Sequence, residues 1–213
     1  MTIAVLANEE KKKEILQREG EQGIDIIWCD TLKVLVMVEA DAYFDLMYRD
    51  DVERNAILNK INDKPVFVGD VNNKTEKKYK FIRLNDWPGF LKREIIELAV
   101  SDQEQVAIVK NVFDHLNWQF RLVPDQPGFI SARVIAMIIN EAYHALGENV
   151  SNREDIDTAM KLGTNYPYGP FEWTTLIGLK NIYTLLLEMS GENNRYLPAP
   201  AMKEEWEALV KIV

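Results

Sequence analysis

Few side chains in this sequence could move a proton near neutral pH. There are two histidines: His115 in NVFDHLNW, with Asp114 beside it, and His144 in NEAYHALGE, with Glu141 three residues before it. A histidine oriented by a carboxylate is a common general base, and residues three apart can meet on a helix. Each pair alone is a weak signal, because histidines serve more often as structural or surface groups. Glu94 in LKREIIEL is a third candidate. Beside Arg93, it reads first as a solvated or ion-paired strand residue. No metal-ligand spacing, nucleophile elbow or phosphate-binding P-loop occurs. Asp30 follows an apolar run, where a dinucleotide-binding fold keeps a ribose-binding acid, although a strand-end turn is the commoner use of Asp.

Bulk composition narrows the partners. A formal net charge of −9 opposes non-specific nucleic-acid binding and a polybasic membrane contact. A polyanionic small ligand stays open, because a local basic patch can coexist with an acidic total. The single cysteine, Cys29, forms no internal disulfide and fits a reducing compartment. No apolar run approaches the roughly 18 residues of a bilayer span. The start, MTIAVLANEEKKK, places charge after the apolar run, the reverse of a signal peptide. Cytoplasmic residence is the expectation.

These groups need elements to position them. Thr2–Leu6 reads as a strand. Asn8 can cap a helix over EEKKKEILQREG, with Gly20 as its stop. Ile24–Cys29 and Leu32–Val38 read as the next two strands. Ala40–Ile61 is expected to be mainly helical, with Asp50-Asp51 as an interruption and Asn62-Asp63-Lys64-Pro65 as its break. Val66–Gly69, Lys80–Leu84, Glu94–Val100 and Trp118–Val123 read as strands, with helix left open for Glu94–Val100 by its glutamates. Asn72–Lys80 is a solvated loop, and Asp102–Leu116 is a helix. Continuous apolar strands separated by helices predict a mostly parallel sheet covered on both faces.

Near Pro124 the character changes to helix only. Ile130, Val134, Ile138 and Ala142 repeat at helical spacing after Pro127, and Gly147 ends that helix. Ser151 and Glu154 have capping-box spacing. Helices follow through EDIDTAMKL to Gly163, over Phe171–Ile177, and over Lys180–Ser190 with Gly191 as the stop. The predicted organisation is an α/β domain over 1–124 and an all-α domain over 125–213.

Two strings in the helical part are hard to obtain by chance: DQPGFISARVIAMIINEAYHALGE and EDIDTAMKLGTNYPYGPFEW. They resemble the C-terminal domain of the 3-hydroxyacyl-CoA dehydrogenases, the 3-hydroxybutyryl-CoA dehydrogenase type. The resemblance implies a reduced Rossmann-like first domain, NAD as the family's cofactor and a homodimer built through the helical domain. It also implies hydride transfer from a 3-hydroxyacyl thioester, with a histidine base, an orienting glutamate, a serine and an asparagine.

Position by position, little of that chemistry is kept. The glycines of the dinucleotide turn fall on Ala7, Glu9 and Lys12, so no cofactor binding is expected. Glu9 and Glu10 put carboxylates beside a pyrophosphate, a cost on the order of several kcal/mol. The family segment H-F-F-N-P-x-P aligns with FIRLNDWPGFL through Asn85 and Pro88. That register puts the histidine's place on Ile82 and the glutamate's, twelve residues on, at Glu94. The serine falls near Asn72 and the asparagine on Ala132, leaving Asn72, Asn85 and Ala132 as substrate-cleft candidates. Trp87 and Phe90 could fill the space of a nicotinamide. A helical excursion that helps bind coenzyme A in relatives is expected to be missing.

The first reading is therefore a shortened family member without NAD binding or dehydrogenase activity, acting as a dimeric binding or structural protein. The alternative is an active NAD-dependent 3-hydroxyacyl-CoA oxidoreductase of fatty-acid metabolism with a rebuilt site. A sensor that binds acyl-CoA without turnover is a third option.

Overall fold

The run of β-branched and apolar residues at Thr2–Leu6 forms β1, which lies inside the sheet rather than at its edge. The structure, a computed structural model, describes residues 1–18, 24–61, 63–74 and 78–211. Six more strands follow: β2 (Asp25–Cys29), β3 (Ala42–Asp45), β4 (Val66–Gly69), β5 (Ile82–Leu84), β6 (Ile95–Ala99) and β7 (Gln119–Leu122). Their spatial order is β2-β1-β3-β4-β5-β6-β7. Every neighbouring pair is parallel except β5 with β6.

Both faces of this sheet are buried, as the continuous apolar runs demand. Ile3 and Val5 point into one cluster with Phe44, Phe67 and Phe113. Ala4 and Leu6 point into the opposite one with Cys29, Leu35, Tyr43 and Leu58. The helices of this unit are α1 (Glu9–Leu16), α2 (Leu32–Met37), α3 (Val52–Leu58) and α4 (Gln105–His115). Asn8 caps α1 by accepting the Lys11 N–H. The expected stop at Gly20 and the break residue Asn62 lie outside the described residues.

Two expectations are corrected here. Leu32–Val38 is a helix and not the third strand: Thr31 accepts the Val34 N–H and caps it. A short apolar run has no periodicity that separates strand from helix, and the cap decides. The third strand is β3, inside the stretch expected to be helical, and only its second half forms a helix, α3, capped by Asp51. The link from β2 to β3 thus carries a six-residue helix instead of none.

The first unit runs from Met1 to Phe129 and the second from Ile130 to Val213. Residues 125–129 belong with the sheet for a visible reason. Arg83 on β5 is buried and pairs with Asp125, its Nε donates to the Asp70 carbonyl at 2.8 Å, and its guanidinium lies 4.7 Å from the Phe129 ring.

The second unit contains α5 (Ser131–Gly147), α6 (Arg153–Thr164), α7 (Pro170–Ile177), α8 (Leu179–Ser190) and α9 (Pro200–Val210). Asn152, one residue past the expected Ser151, caps α6. That helix passes Gly163 and stops at Asn165, which is left-handed at φ 55°. The sequence reading contained no α9. It is fixed by buried Asn140 of α5, which accepts the Ala199 N–H at 2.8 Å and donates to Leu197 O at 2.9 Å.

The motif EDIDTAMKLGTNYPYGPFEW is explained by one corner. The Asp157 carboxylate accepts the N–H groups of Phe171 and Glu172 at 2.8 and 3.1 Å, so it caps α7 from another helix. Gly169 must be glycine there, because a Cβ would overlap Asp157. Glu172 closes the turn by accepting the Gly169 N–H and pairing with Lys161.

Candidate functional site

The strand order reverses at β1, which has β2 on one side and β3 on the other. In doubly wound sheets the crevice beyond the carboxyl ends of such strands is where ligands bind. Here the crevice is occupied by the protein's own charges. Lys11, in the first turns of α1, donates to Leu46 O at 2.6 Å, just past β3, and pairs with Asp86. Asp86 lies against the end of β4: a Cβ on Gly69 would overlap its carboxylate. Next to them the buried Asp45 carboxylate takes both ends of the Arg54 fork, at 2.7 and 2.6 Å. Burial pushes Asp45 and Asp86 above the usual carboxylate range, against the pull of Arg54 and Lys11 respectively.

The rim of the crevice repels anions. Ala7 is buried at the strand end, while Glu9 and Glu10 are exposed in the first turn of α1. The Asn8 side chain already occupies one of the helix's free N–H groups. Lys12 turns to Glu9 at 3.1 Å and to Asp30 at 3.9 Å, and its ammonium lies 5.8 Å from the Trp28 ring centroid. Asp30 is exposed and serves this surface pair. The chain's own residues do not fit a bound NAD at this crevice.

The predicted catalytic positions are not brought together. Ile82 is buried in the sheet core with Phe67 and Phe113. Glu94 is exposed ahead of β6, and its carbonyl accepts from Arg18. A different pair with the same twelve-residue spacing does meet. The β5–β6 register pairs Arg83 with Ala99 and Leu84 with Leu98, which sets Asn85 opposite Glu97. Asn85 is buried; its N–H donates to Glu97 O at 3.0 Å and its side-chain amide to the Glu97 carboxylate at 3.1 Å. The sequence signal was available: Glu97 is a carboxylate between the buried apolar residues Ile96 and Leu98 of a strand.

The other candidates are placed one by one. Asn72 is half-buried in a turn around Asp70, whose carboxylate accepts the Asn72 and Asn73 N–H groups at 3.2 Å each. Burial also raises the pKa of Asp70, opposed by Arg83. Ala132 is fully buried on α5 in the second unit. Trp87 and Phe90 are buried edge to face, with ring centroids 6.3 Å apart. His115 is exposed and its Nδ1 lies 2.7 Å from Asn111 O, while His144 is half-buried on α5. Among the described residues, no group of three His, Cys, Asp or Glu side chains could hold a metal ion, and no helix is long and apolar enough to cross a membrane.

A family model described as 3-hydroxyacyl-CoA dehydrogenase, C-terminal domain, matches residues 128–210. Over 116 residues the chain is 44% identical to the 3-hydroxyadipyl-CoA dehydrogenase of Escherichia coli, covering 52% of this chain and 24% of that protein. Over 139 residues it is 32% identical to a 3-hydroxybutyryl-CoA dehydrogenase of Bradyrhizobium diazoefficiens, covering 63% and 47%. The chain belongs to the 3-hydroxyacyl-CoA dehydrogenase family. It spans about half or less of the length of these curated relatives. The crystal structure of (S)-3-hydroxybutyryl-CoA dehydrogenase from Ralstonia eutropha superposes with a TM-score of 0.78 at 19% identity, covering 97% of this chain and 93% of that one. That likeness concerns the fold: a doubly wound sheet unit followed by a helical one, as the sequence led us to expect. Within the family pattern of a histidine and a glutamate twelve residues apart, the pair that touches in this chain is Asn85 and Glu97.

Proposed function

We propose that this chain is a 3-hydroxyacyl-CoA dehydrogenase-like protein without NAD binding or dehydrogenase activity, acting as a dimeric binding or structural protein. The observation that carries the reading is the Lys11–Asp86 pair in the crevice, seated so close to Gly69 that a Cβ there would overlap the Asp86 carboxylate. The second support is chemical. Asn85 and Glu97 repeat the twelve-residue spacing that the resemblance gives the histidine and its orienting glutamate, three residues on from Ile82 and Glu94, and they touch. A side-chain amide accepts no proton near neutral pH, so a Glu97 that orients Asn85 orients no base.

What the chain keeps is the packing corner at Asp157 and Gly169, which supports a role for the helical unit in self-association. The names of the relatives make an acyl-CoA the first ligand to try. The lone buried Cys29 is consistent with a reducing compartment such as the cytoplasm. The test is turnover: acetoacetyl-CoA and NADH mixed with the purified chain, with loss of NADH absorbance followed. The proposal expects no enzyme-dependent loss. Turnover that disappears in Glu97→Gln would establish the rebuilt enzyme instead. Light scattering that gives a monomer at tens of micromolar would remove the dimer.

A further inference from the structure

Lys11, Glu14 and Arg18 lie at i, i+3 and i+7, on one face of α1 and its C-terminal turn. All three reach one segment, residues 86–94, which joins β5 to β6. Lys11 pairs with Asp86. Glu14 is buried, and its two carboxylate oxygens accept the N–H groups of Gly89 and Leu91 at 2.6 and 3.0 Å. Arg18 donates to the carbonyls of Leu91 at 2.6 Å, of Arg93, and of Glu94 at 3.1 Å. The segment itself is a series of turns, so its buried backbone groups need partners from elsewhere. The helix that in a dinucleotide fold would face a pyrophosphate supplies them.

We propose that residues 86–94 are a strap latched along α1 by this stripe, whose end residue Asp86 is an internal occupant of the crevice where an external ligand would lie. The inference rests on the reading that the crevice takes no dinucleotide. A ligand stabilises its fold in proportion to its free concentration, whereas the strap is present at one copy per chain under all conditions. Its anchors are charge-assisted hydrogen bonds, stronger than neutral ones, with Trp87, Phe90 and Leu91 buried among them. Fold and strap are therefore coupled through α1, and nucleotide has no part in that coupling.

Hydrogen exchange on the full chain, read by mass spectrometry, tests this. In Glu14→Gln, exchange in peptides covering 86–94 is expected to rise about tenfold, the scale of one charge-assisted hydrogen bond. Peptides covering β1, β3 and β6 are expected to keep their protection. Arg18→Met is the second variant, should the first fold poorly, and is expected to loosen the same segment. A uniform rise across all strands would reduce Glu14 to a general support of the fold and overturn the strap, as would no change at all. NADH added to the wild-type chain separates the two claims. New protection around Ala7–Lys12 would defeat the reading of function and with it the internal occupant, while the Glu14→Gln result alone decides the latch.

Discussion

Two corners of this molecule use the same device to opposite ends. In the first unit Gly69 lets the Asp86 carboxylate in, and in the second Gly169 does the same for Asp157. Asp157 meets two backbone N–H groups at the start of α7, so it joins helix to helix. Asp86 meets the Lys11 ammonium, so it sets an ion pair in the crevice where doubly wound folds bind ligands. The packing corner lies within the residues that the family model matches, 128–210, while Asp86 and Lys11 lie outside them. One construction, a glycine that admits an aspartate, thus serves a helix cap in one unit and an ion pair in the other.

The largest test of this comparison is steric. Gly69→Ala is expected to cost about 3 kcal/mol in urea unfolding and Gly169→Ala about 2, the upper range for overpacking. The two corners should then separate on adding a second change. Asp86→Ala should restore most of the loss in Gly69→Ala, because Lys11 is near enough to the surface to find water. Asp157→Ala should restore little in Gly169→Ala, because it also removes the cap of α7, worth about 1 kcal/mol. Equal rescue at both corners would erase the distinction between a plug and a joint.

A smaller test uses pH, and the two units should respond with opposite sign. Asp70 has its pKa raised by burial, so the folded state holds that proton more tightly than the unfolded chain. Its contribution is present below the unfolded value of about 3.9 and is lost as pH rises through the folded pKa. Asp70→Asn should therefore flatten the change of Tm on the high side of that value. Glu172 is lowered by its bonds from Lys161 and Gly169. Its contribution is present above the unfolded value of about 4.3 and is lost as pH falls. Glu172→Gln should lower Tm slightly at neutral pH and not in acid. Shifts of one sign in both variants would contradict the assignment.

The sheet was legible because Ile3, Val5, Phe67 and their neighbours form short β-branched and aromatic runs, the usual pattern of buried strands. The segment Leu32–Met37 was not legible, since an apolar run of six carries no period and its fate depended on Thr31 as a cap. At α6 the capping box read from Ser151 lay one residue away from Asn152, which caps in fact. The candidate site was legible only as a set of losses. That Ala7, Glu9 and Lys12 fall where the family has glycines is what the resemblance implies; that Lys11, Glu14 and Arg18 grip another segment could not be read from it. Charged residues spaced along a helix look solvated until the tertiary partner is seen. The register of Glu97 was missed for a related reason. Asn85 and Pro88 fixed one alignment, and only the antiparallel pairing of β5 with β6 showed which carboxylate faces Asn85.

The most direct measurement is calorimetric titration of NADH into the purified chain. With Lys11 and Asp86 in the crevice and Glu9 and Glu10 at its rim, the expected result is no saturable heat up to about 1 mM, the weak end of specific affinity. Saturable binding at one site per chain, abolished by a charge change at Lys11 or Lys12, would contradict the account and return the chain to the working dehydrogenases.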